Sequence, residues 1–269
     1  MDLSIIIVNY NGEKYLDDCL SSIFIQCEGI NFEIIIWDNA SSDDSNKLIK
    51  ANYGNRVTLI ESKMNLGFAG GNNGASKLAK GTFLLLLNND TILIEPIKPA
   101  LDLMKSDAKI GALGIKMLNG YKRYTNSCGS LPKPYQLIYF KLFSSIGGPF
   151  LNGEFQAERP IEVGWLSGSF LMTPKALWDD IDGLDESYFM YVEDVDYSKK
   201  VKDRGYKRIF MPNIEYIHLI GFQSAKNNLL VKGYRIYIDK HFKGLKKLIG
   251  HACLSINEQV KKFKGNYGD

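Results

Sequence analysis

The sequence predicts an α/β fold in which a mainly parallel sheet carries helices on both faces. Three observations predict it. Four short, continuous apolar runs occupy the first third: residues 3–8 (LSIIIV), 33–37 (EIIIW), 57–61 (VTLIE) and 82–87 (TFLLLL). They lack period-two alternation, as strands covered on both faces do. Between them lie residues 12–26, 42–51 and 68–80, each long enough for a crossover helix. Strand, helix, strand, helix at this spacing gives right-handed βαβ units and a doubly wound sheet.

A chain of 269 residues suffices for one large domain, or for one domain with an appendage. Its 45% apolar and 23% charged residues are ordinary for a folded protein and exclude a disordered or collagen-like chain. A net charge of +3 gives no reason to expect a nucleic-acid partner. The charge is unevenly placed, however. Residues 221–269 carry ten Lys/Arg against three Asp/Glu, a surplus of seven, whereas everything before them is net acidic by four. Such a tail suits an anionic surface or ligand, or else a solvated helix face. Cys19, Cys27, Cys128 and Cys253 show neither CxxC nor zinc spacing, which fits a reduced, cytoplasmic compartment. The N-terminus opens directly on a strand-like run, so no signal peptide is expected. No stretch reaches the roughly 18 apolar residues that span a bilayer.

Residues 121–159 are rich in Gly, Pro and aromatic residues and read as loops with a short helix. Order returns at 162–173 and 183–204, followed by a strand pair at 208–211 and 214–218. A last helix is expected over Gly244–Phe263. Leu245, Leu248, Ile249, Ala252, Cys253, Ile256, Val260 and Phe263 line one side of it at helical spacing. That stripe is expected to pack on the domain. Peripheral contact with the cytoplasmic face of an anionic membrane, or a homodimer, are the other readings.

In doubly wound sheets, ligands bind at the carboxyl ends of the strands. Those ends read Asn9-Tyr10-Asn11-Gly12, Asp38-Asn39-Ala40-Ser41-Ser42, Asn65-Leu66-Gly67-Phe68-Ala69-Gly70-Gly71 and Asn88-Asn89-Asp90. Asp38 can accept from a base N–H or a ribose hydroxyl, or can simply cap and turn with Ser41. The glycines of 65–71 lead into a helix and would let backbone approach an anion. They match neither the dinucleotide nor the P-loop fingerprint. Asp90 could hold Mg²⁺ or Mn²⁺ beside a diphosphate, or belong to a surface turn. Glu193, Asp194 and Asp196 crowd together behind Tyr188, Phe189 and Tyr191. These acids could favour a helix N-terminus, while a desolvated Asp194 would make a general base. His218 ends a strand, where a histidine is either structural or a ligand.

Taken in order, SIIIVNYNGEKYLDDCLSSI, WDNASSDDS, NLGFAGGNNGA, LLLLNNDT, VGWLSGSFLM, GLDESYFMYVEDVDYSKKVKDRGY and the His218 strand resemble glycosyltransferase family 2. The likeness is to its rhamnosyltransferase-like, non-processive branch with a GT-A fold, and it spans residues 3–220. It implies a catalytic domain over 1–220, with a nucleotide-binding half to about 115 and an acceptor-binding half after it, and a basic helical extension over 221–269. It also implies roles. Val8, Asn9, Tyr10 and Asp38 would hold the nucleoside, with Asp38 facing the base. Asn65, Gly67 and Gly71 would approach base, ribose or phosphates, with Asn88 and Asn89 beside them. Asp90 would stand at the last position of the family's Asp-x-Asp metal motif, with His218 as second ligand. Trp165, Ser167 and Gly168 would line the junction of donor sugar and acceptor. Asp194 would be the catalytic base, with Glu193 as the fallback.

The activity so implied is single, inverting sugar transfer from a dTDP- or UDP-sugar to a glycan or lipid-linked hydroxyl, with L-rhamnose as the first donor considered. Asn88-Asn89-Asp90 keeps one carboxylate of the usual motif, so metal binding would lean on the nucleotide. The Gln-x-x-Arg-Trp motif of processive synthases is absent. Two other functions share the fold. A non-catalytic nucleotide-sugar binding module would have no use for Glu193 and Asp194. A sugar nucleotidyltransferase would carry a basic Gly-rich loop where this chain has Asn9-Tyr10-Asn11-Gly12.

Overall fold

The computed structural model describes residues 1–144, 159–219 and 226–263. The first half follows the alternation expected. β1 (Leu3–Asn9), β2 (Phe32–Asp38), β3 (Thr58–Glu61) and β4 (Phe83–Asn88) alternate with α1 (Glu13–Gln26), α2 (Ser45–Tyr53) and α3 (Gly67–Ser76). Helix α2 starts three residues later than expected, because Asp43 turns the chain first and accepts from the Ser45 N–H at 3.2 Å. There follow β5 (Thr91–Leu93), α4 (Lys98–Ser106) and β6 (Ile110–Asn119). Next come β7 (Tyr124–Thr125), β8 (Cys128–Gly129), a 3₁₀ turn (Pro134–Ile138) and α5 (Lys141–Ser144). β9 (Ile161–Glu162), β10 (Trp165–Leu166), β11 (Phe170–Pro174) and α6 (Lys175–Ile181) precede α7 (Glu193–Asp203) and β12 (Lys207–His218). Helices α8 (Lys226–His241) and α9 (Gly244–Phe263) close the described chain.

The sheet runs β3-β2-β1-β4-β11-β6-β12-β5. Its first four strands are parallel, and β11 enters antiparallel between β4 and β6. Because β2 and β4 flank β1 on opposite sides, the winding reverses there and opens a crevice at the ends of β1 and β4. Register places Val8 beside Asn88 and Asn9 beside Asp38 at that crevice. Alternate residues of the apolar runs feed two cores. Ile5, Ile7, Ile34, Ile36, Leu85 and Leu87 pack under α1, α2 and α4, and Ile6, Ile35, Leu84 and Leu86 pack with α3, α6 and α7.

Three readings are corrected. The strand pair expected at 208–218 is one strand, β12, whose register with β6 shifts between Met211 and Glu215 around Pro212, where a bulge accommodates the missing N–H. Central strand β6 was hidden by its glycines. A Cβ on Gly111 would meet Tyr206 at 2.6 Å, and one on Gly114 would meet Leu166 at 2.9 Å, so close packing by neighbours requires both. Apart from Cys253, which packs beside α8, the stripe of α9 does not pack on the domain. Leu245 is 71% exposed, Leu248 68% and Phe263 95%. The inward face is polar: Asn257 donates to the Leu137 and Ile138 carbonyls, and Glu258 pairs with Arg235 and Lys262. Leu254 is the one large apolar side chain of α9 that is fully buried.

Candidate active site

The crevice floor is a closed polar network. Asn9 Nδ2 donates to Asp38 Oδ1 at 2.8 Å and to Ser41 Oγ at 3.1 Å, while Asn89 Nδ2 donates to Asn9 Oδ1 at 2.8 Å. Asp38 also accepts from the Ser41 N–H and hydroxyl and from Asn46 Nδ2. Its carboxylate faces Asn9, Ser41 and Asn46, and the residue is 1% exposed. Asn9 and Asp38, both expected at the nucleoside, lie beneath the cleft and outside its lining. Gly71 is likewise a packing residue: a Cβ there would meet both Val8 methyl carbons at 2.9 Å.

Above this floor two loops interlock. Gly67 has φ +73, and a Cβ on it would meet the Phe189 carbonyl oxygen at 2.2 Å. The Phe68 N–H donates to that oxygen at 2.9 Å. Asn39 ties the loop to the end of β2, donating to the Gly67 carbonyl at 2.9 Å and accepting from the Leu66 N–H at 3.2 Å. Glycine at 67 is thus required by backbone conformation and close approach together.

At the end of β4, His218 Nε2 stands 2.9 Å from Asp90 Oδ1 and 3.2 Å from Asn88 Nδ2. The pairing follows from register, since β5 and β12 run antiparallel with His218 opposite Thr91. Both side chains are partly buried and reach the same cleft.

Glu193 and Asp194 open α7, directly after two non-glycine residues at positive φ, Tyr191 (+69) and Val192 (+76). For a β-branched residue this is a strained conformation. Asp194 accepts from the Gly168 N–H at 3.0 Å and the Val195 N–H at 2.8 Å, which fixes the carboxylate's orientation. Burial raises its proton affinity, and those two N–H groups offset part of the rise. Glu193 is 5% exposed and lies well above the usual carboxylate range, first through burial and then through the charges of Asp194 and Asp196. Among the described residues its Oε2 has no hydrogen-bond partner. Behind the pair, fully buried Asp196 accepts from the Tyr188 hydroxyl and pairs with His241 of α8 at 2.6 Å and Lys200 at 3.2 Å.

The cleft so framed measures about 320 Å³, the low end for a small-molecule site. Of the residues singled out from sequence, it brings together Val8, Tyr10, Asn65, Gly67, Asn88, Asn89, Asp90, Ser167, Gly168, Glu193, Asp194 and His218. Trp165 is outside this lining and packs against the aromatic cluster of α7 and α8. Sequence reasoning did not assign Asn39, Phe68, Ser169, Phe189, Met190, Tyr191 or Leu229 to the site. Most adjoin the motifs named above, whereas Leu229 belongs to α8, a helix of the expected helical extension whose bounds the sequence does not mark.

Comparison with known proteins decides the family. A family model described as glycosyl transferase family 2 matches residues 4–154. The chain belongs to that family. It is a glycosyltransferase with the GT-A fold. It is 26% identical over 238 residues to an N-acetylglucosaminyl-diphospho-decaprenol L-rhamnosyltransferase of Mycobacterium tuberculosis, covering 80% of this chain and 75% of that one. It is 27% identical over 243 residues to the low-salt glycan biosynthesis hexosyltransferase Agl10 of Haloferax volcanii, covering 88% and 73%. Among solved structures, residues 1–349 of S. aureus TarS in complex with UDP align at a TM-score of 0.61, with 18% identity and coverage of 98% and 72%. GalNAc-T7 with UDP, GalNAc and Mn²⁺ aligns at 0.68, with 14% identity and coverage of 99% and 58%. The binding-module and nucleotidyltransferase readings fall with the family assignment. The described residues include no helix long and apolar enough to cross a membrane.

Proposed function

We propose that this glycosyltransferase moves one sugar from a nucleoside-diphosphate donor to an acceptor hydroxyl with inversion, using Asp194 as general base. The observation that carries the reading is the held, desolvated Asp194 carboxylate in the cleft wall, facing the same space as Asp90 and His218. As the acceptor oxygen attacks the anomeric carbon, its proton passes to Asp194 while the C–O bond to the diphosphate breaks on the opposite face. The transition state has oxocarbenium character, as in glycoside hydrolysis. Gly168 donates to the base and Ser167 lines the same cleft, and both suit the junction of donor sugar and acceptor.

Asp90 and His218 would hold a divalent ion. Among the described residues no group of three or more acidic, His or Cys side chains could do so. The pair therefore fits an ion that completes its shell with water and phosphate oxygens, and an oxygen–imidazole set suits Mn²⁺ better than Mg²⁺. Such an ion offsets charge on the departing diphosphate. L-Rhamnose from dTDP-rhamnose is the first donor to test, because the mycobacterial relative is an L-rhamnosyltransferase whose named acceptor is a lipid diphosphate. A lipid-linked glycan is correspondingly the first acceptor, on the cytoplasmic side.

Asp194→Asn should reduce turnover by about 10³-fold, within the range for loss of a positioned base, with donor affinity changed by no more than a few fold. Retention of most turnover would remove Asp194 from the role. Thermal unfolding with dTDP, UDP, GDP and CMP, each with and without Mn²⁺, identifies the donor class. A ligand at 100 times its Kd stabilises by about 2.7 kcal/mol. Asp90→Ala should abolish the metal-dependent part of that shift and leave the metal-free part; equal loss of both would exclude a ligand role.

A further inference from the structure

Helix α9 is packed inside out. Seven of its nine apolar residues, Leu245, Leu248, Ile249, Ala252, Ile256, Val260 and Phe263, share one face at helical spacing, and that face is turned to solvent. None of them belongs to a hydrophobic cluster of the described residues. The inward face is held by Leu254 and Cys253 in the α7–α8 cluster and by polar contacts: Lys247 and His251 on Asp239, Lys261 on Asn227, and Glu258 on Arg235. A helix fixed in this way holds some 30 Å of apolar surface outward.

We infer that this face docks on an anionic lipid surface. Charge selects that occupant. Lys246 and Lys262 flank the stripe on its two sides and are exposed, as is Lys243 just before the helix. The only acid of α9, Glu258, is turned inward. Apolar centre, basic margins and no outward acid are what an interfacial helix needs. A second copy fits less well, because lysines stand near both ends of the stripe and pairing two such helices in either direction brings like charges together. The segment against which α9 packs also exposes Tyr135, Ile138, Tyr139 and Leu142, and aromatic residues of this kind favour the membrane–water interface. Helix α8 packs on α9 and places Leu229 in the cleft wall, so docking brings the cleft close to a lipid-borne hydroxyl. The inference rests on α9 and not on the proposed base or donor, so vesicle binding and turnover fail independently.

The test is co-sedimentation of the full chain with phosphatidylcholine vesicles with and without phosphatidylglycerol. Binding is expected to the anionic vesicles and to be weaker to the neutral ones. The triple variant Leu248→Gln, Ile256→Gln, Phe263→Gln should lower the partition coefficient at least about tenfold. Its unfolding midpoint and its transfer to a short water-soluble acceptor should not change. Lys243→Gln with Lys246→Gln should reduce the preference for anionic vesicles by about fivefold per lysine. Absence of wild-type binding, or equal binding by the triple variant, overturns the inference. So does a concentration-dependent dimer that the triple variant dissolves without any vesicle binding.

Discussion

The two walls of the cleft are built on opposite principles. On the floor, Asp38 is a buried carboxylate with both oxygens occupied by donors from Asn9, Ser41 and Asn46. Across the cleft, Glu193 is a buried carboxylate with an oxygen unpartnered among the described residues, next to a second acid and behind two strained residues. Burial penalises charge in both places, and only the first supplies the hydrogen bonds that relieve it. The floor is a finished framework, whereas the α7 wall is held at raised free energy. A carboxylate that must accept a proton belongs on the second kind of wall.

That contrast is most easily broken at Asp38. Asp38→Asn places an amide N–H₂ where Ser41 and Asn46 already donate, leaving buried donors facing one another. We expect a loss of about 2–4 kcal/mol of stability, in the range for breaking a buried hydrogen-bonded charge network. Surviving folded enzyme should turn over at near wild-type rate. Asp194→Asn should show the reverse pattern, with folding intact and rate lost. If instead Asp38→Asn unfolds at the normal temperature and fails in donor binding, Asp38 contacts the nucleoside after all.

A smaller effect is expected where α8 supports the strained pair. A Cβ on Gly233 would meet the Tyr191 carbonyl oxygen and Val192 Cγ2, each at 2.8 Å. Alanine favours helix over glycine by about 1 kcal/mol, so Gly233→Ala would stabilise an unconstrained helix. Here it should push Tyr191 and Val192 and lower kcat by about tenfold, with KM little changed. A more stable protein with unaltered kcat would show that the conformation of Tyr191 and Val192 does not position Asp194.

How much of this was legible in the sequence follows from the kind of signal each part carries. The parallel half was readable because its strands are buried on both faces and so are continuously apolar. The cleft residues were readable because they punctuate those strands. Strand β6 and helix α8 were not, since glycines at 111, 114 and 233 blur both patterns, and the neighbours that require them are far away in sequence. The orientation of α9 was misread for a general reason. Periodicity shows that a helix has an apolar side, but which side meets the protein depends on partners such as Arg235, Asp239 and the Leu137 carbonyl. The partners of Asp38 and Gly71 were hidden for the same reason: position at a strand end was visible, side-chain direction was not.

The smallest effect concerns Glu193 and is read from stability against pH. Its proton affinity is raised in the folded state, first by burial and then by the neighbouring acids. At pH near 4 both folded and unfolded forms hold the proton, and no penalty arises. As pH rises through the ordinary glutamate range near 4.3, the unfolded chain ionises while the folded one resists, so the wild-type protein loses stability. Glu193→Gln has no proton to lose. Its unfolding midpoint should match wild type near pH 4 and exceed it at pH 8, where about 1 kcal/mol would appear as roughly 2–4 °C in a chain of this size. A midpoint difference independent of pH would mean that Glu193 ionises alike in the folded and unfolded chain, and the two walls of the cleft would then differ less than their hydrogen bonding suggests.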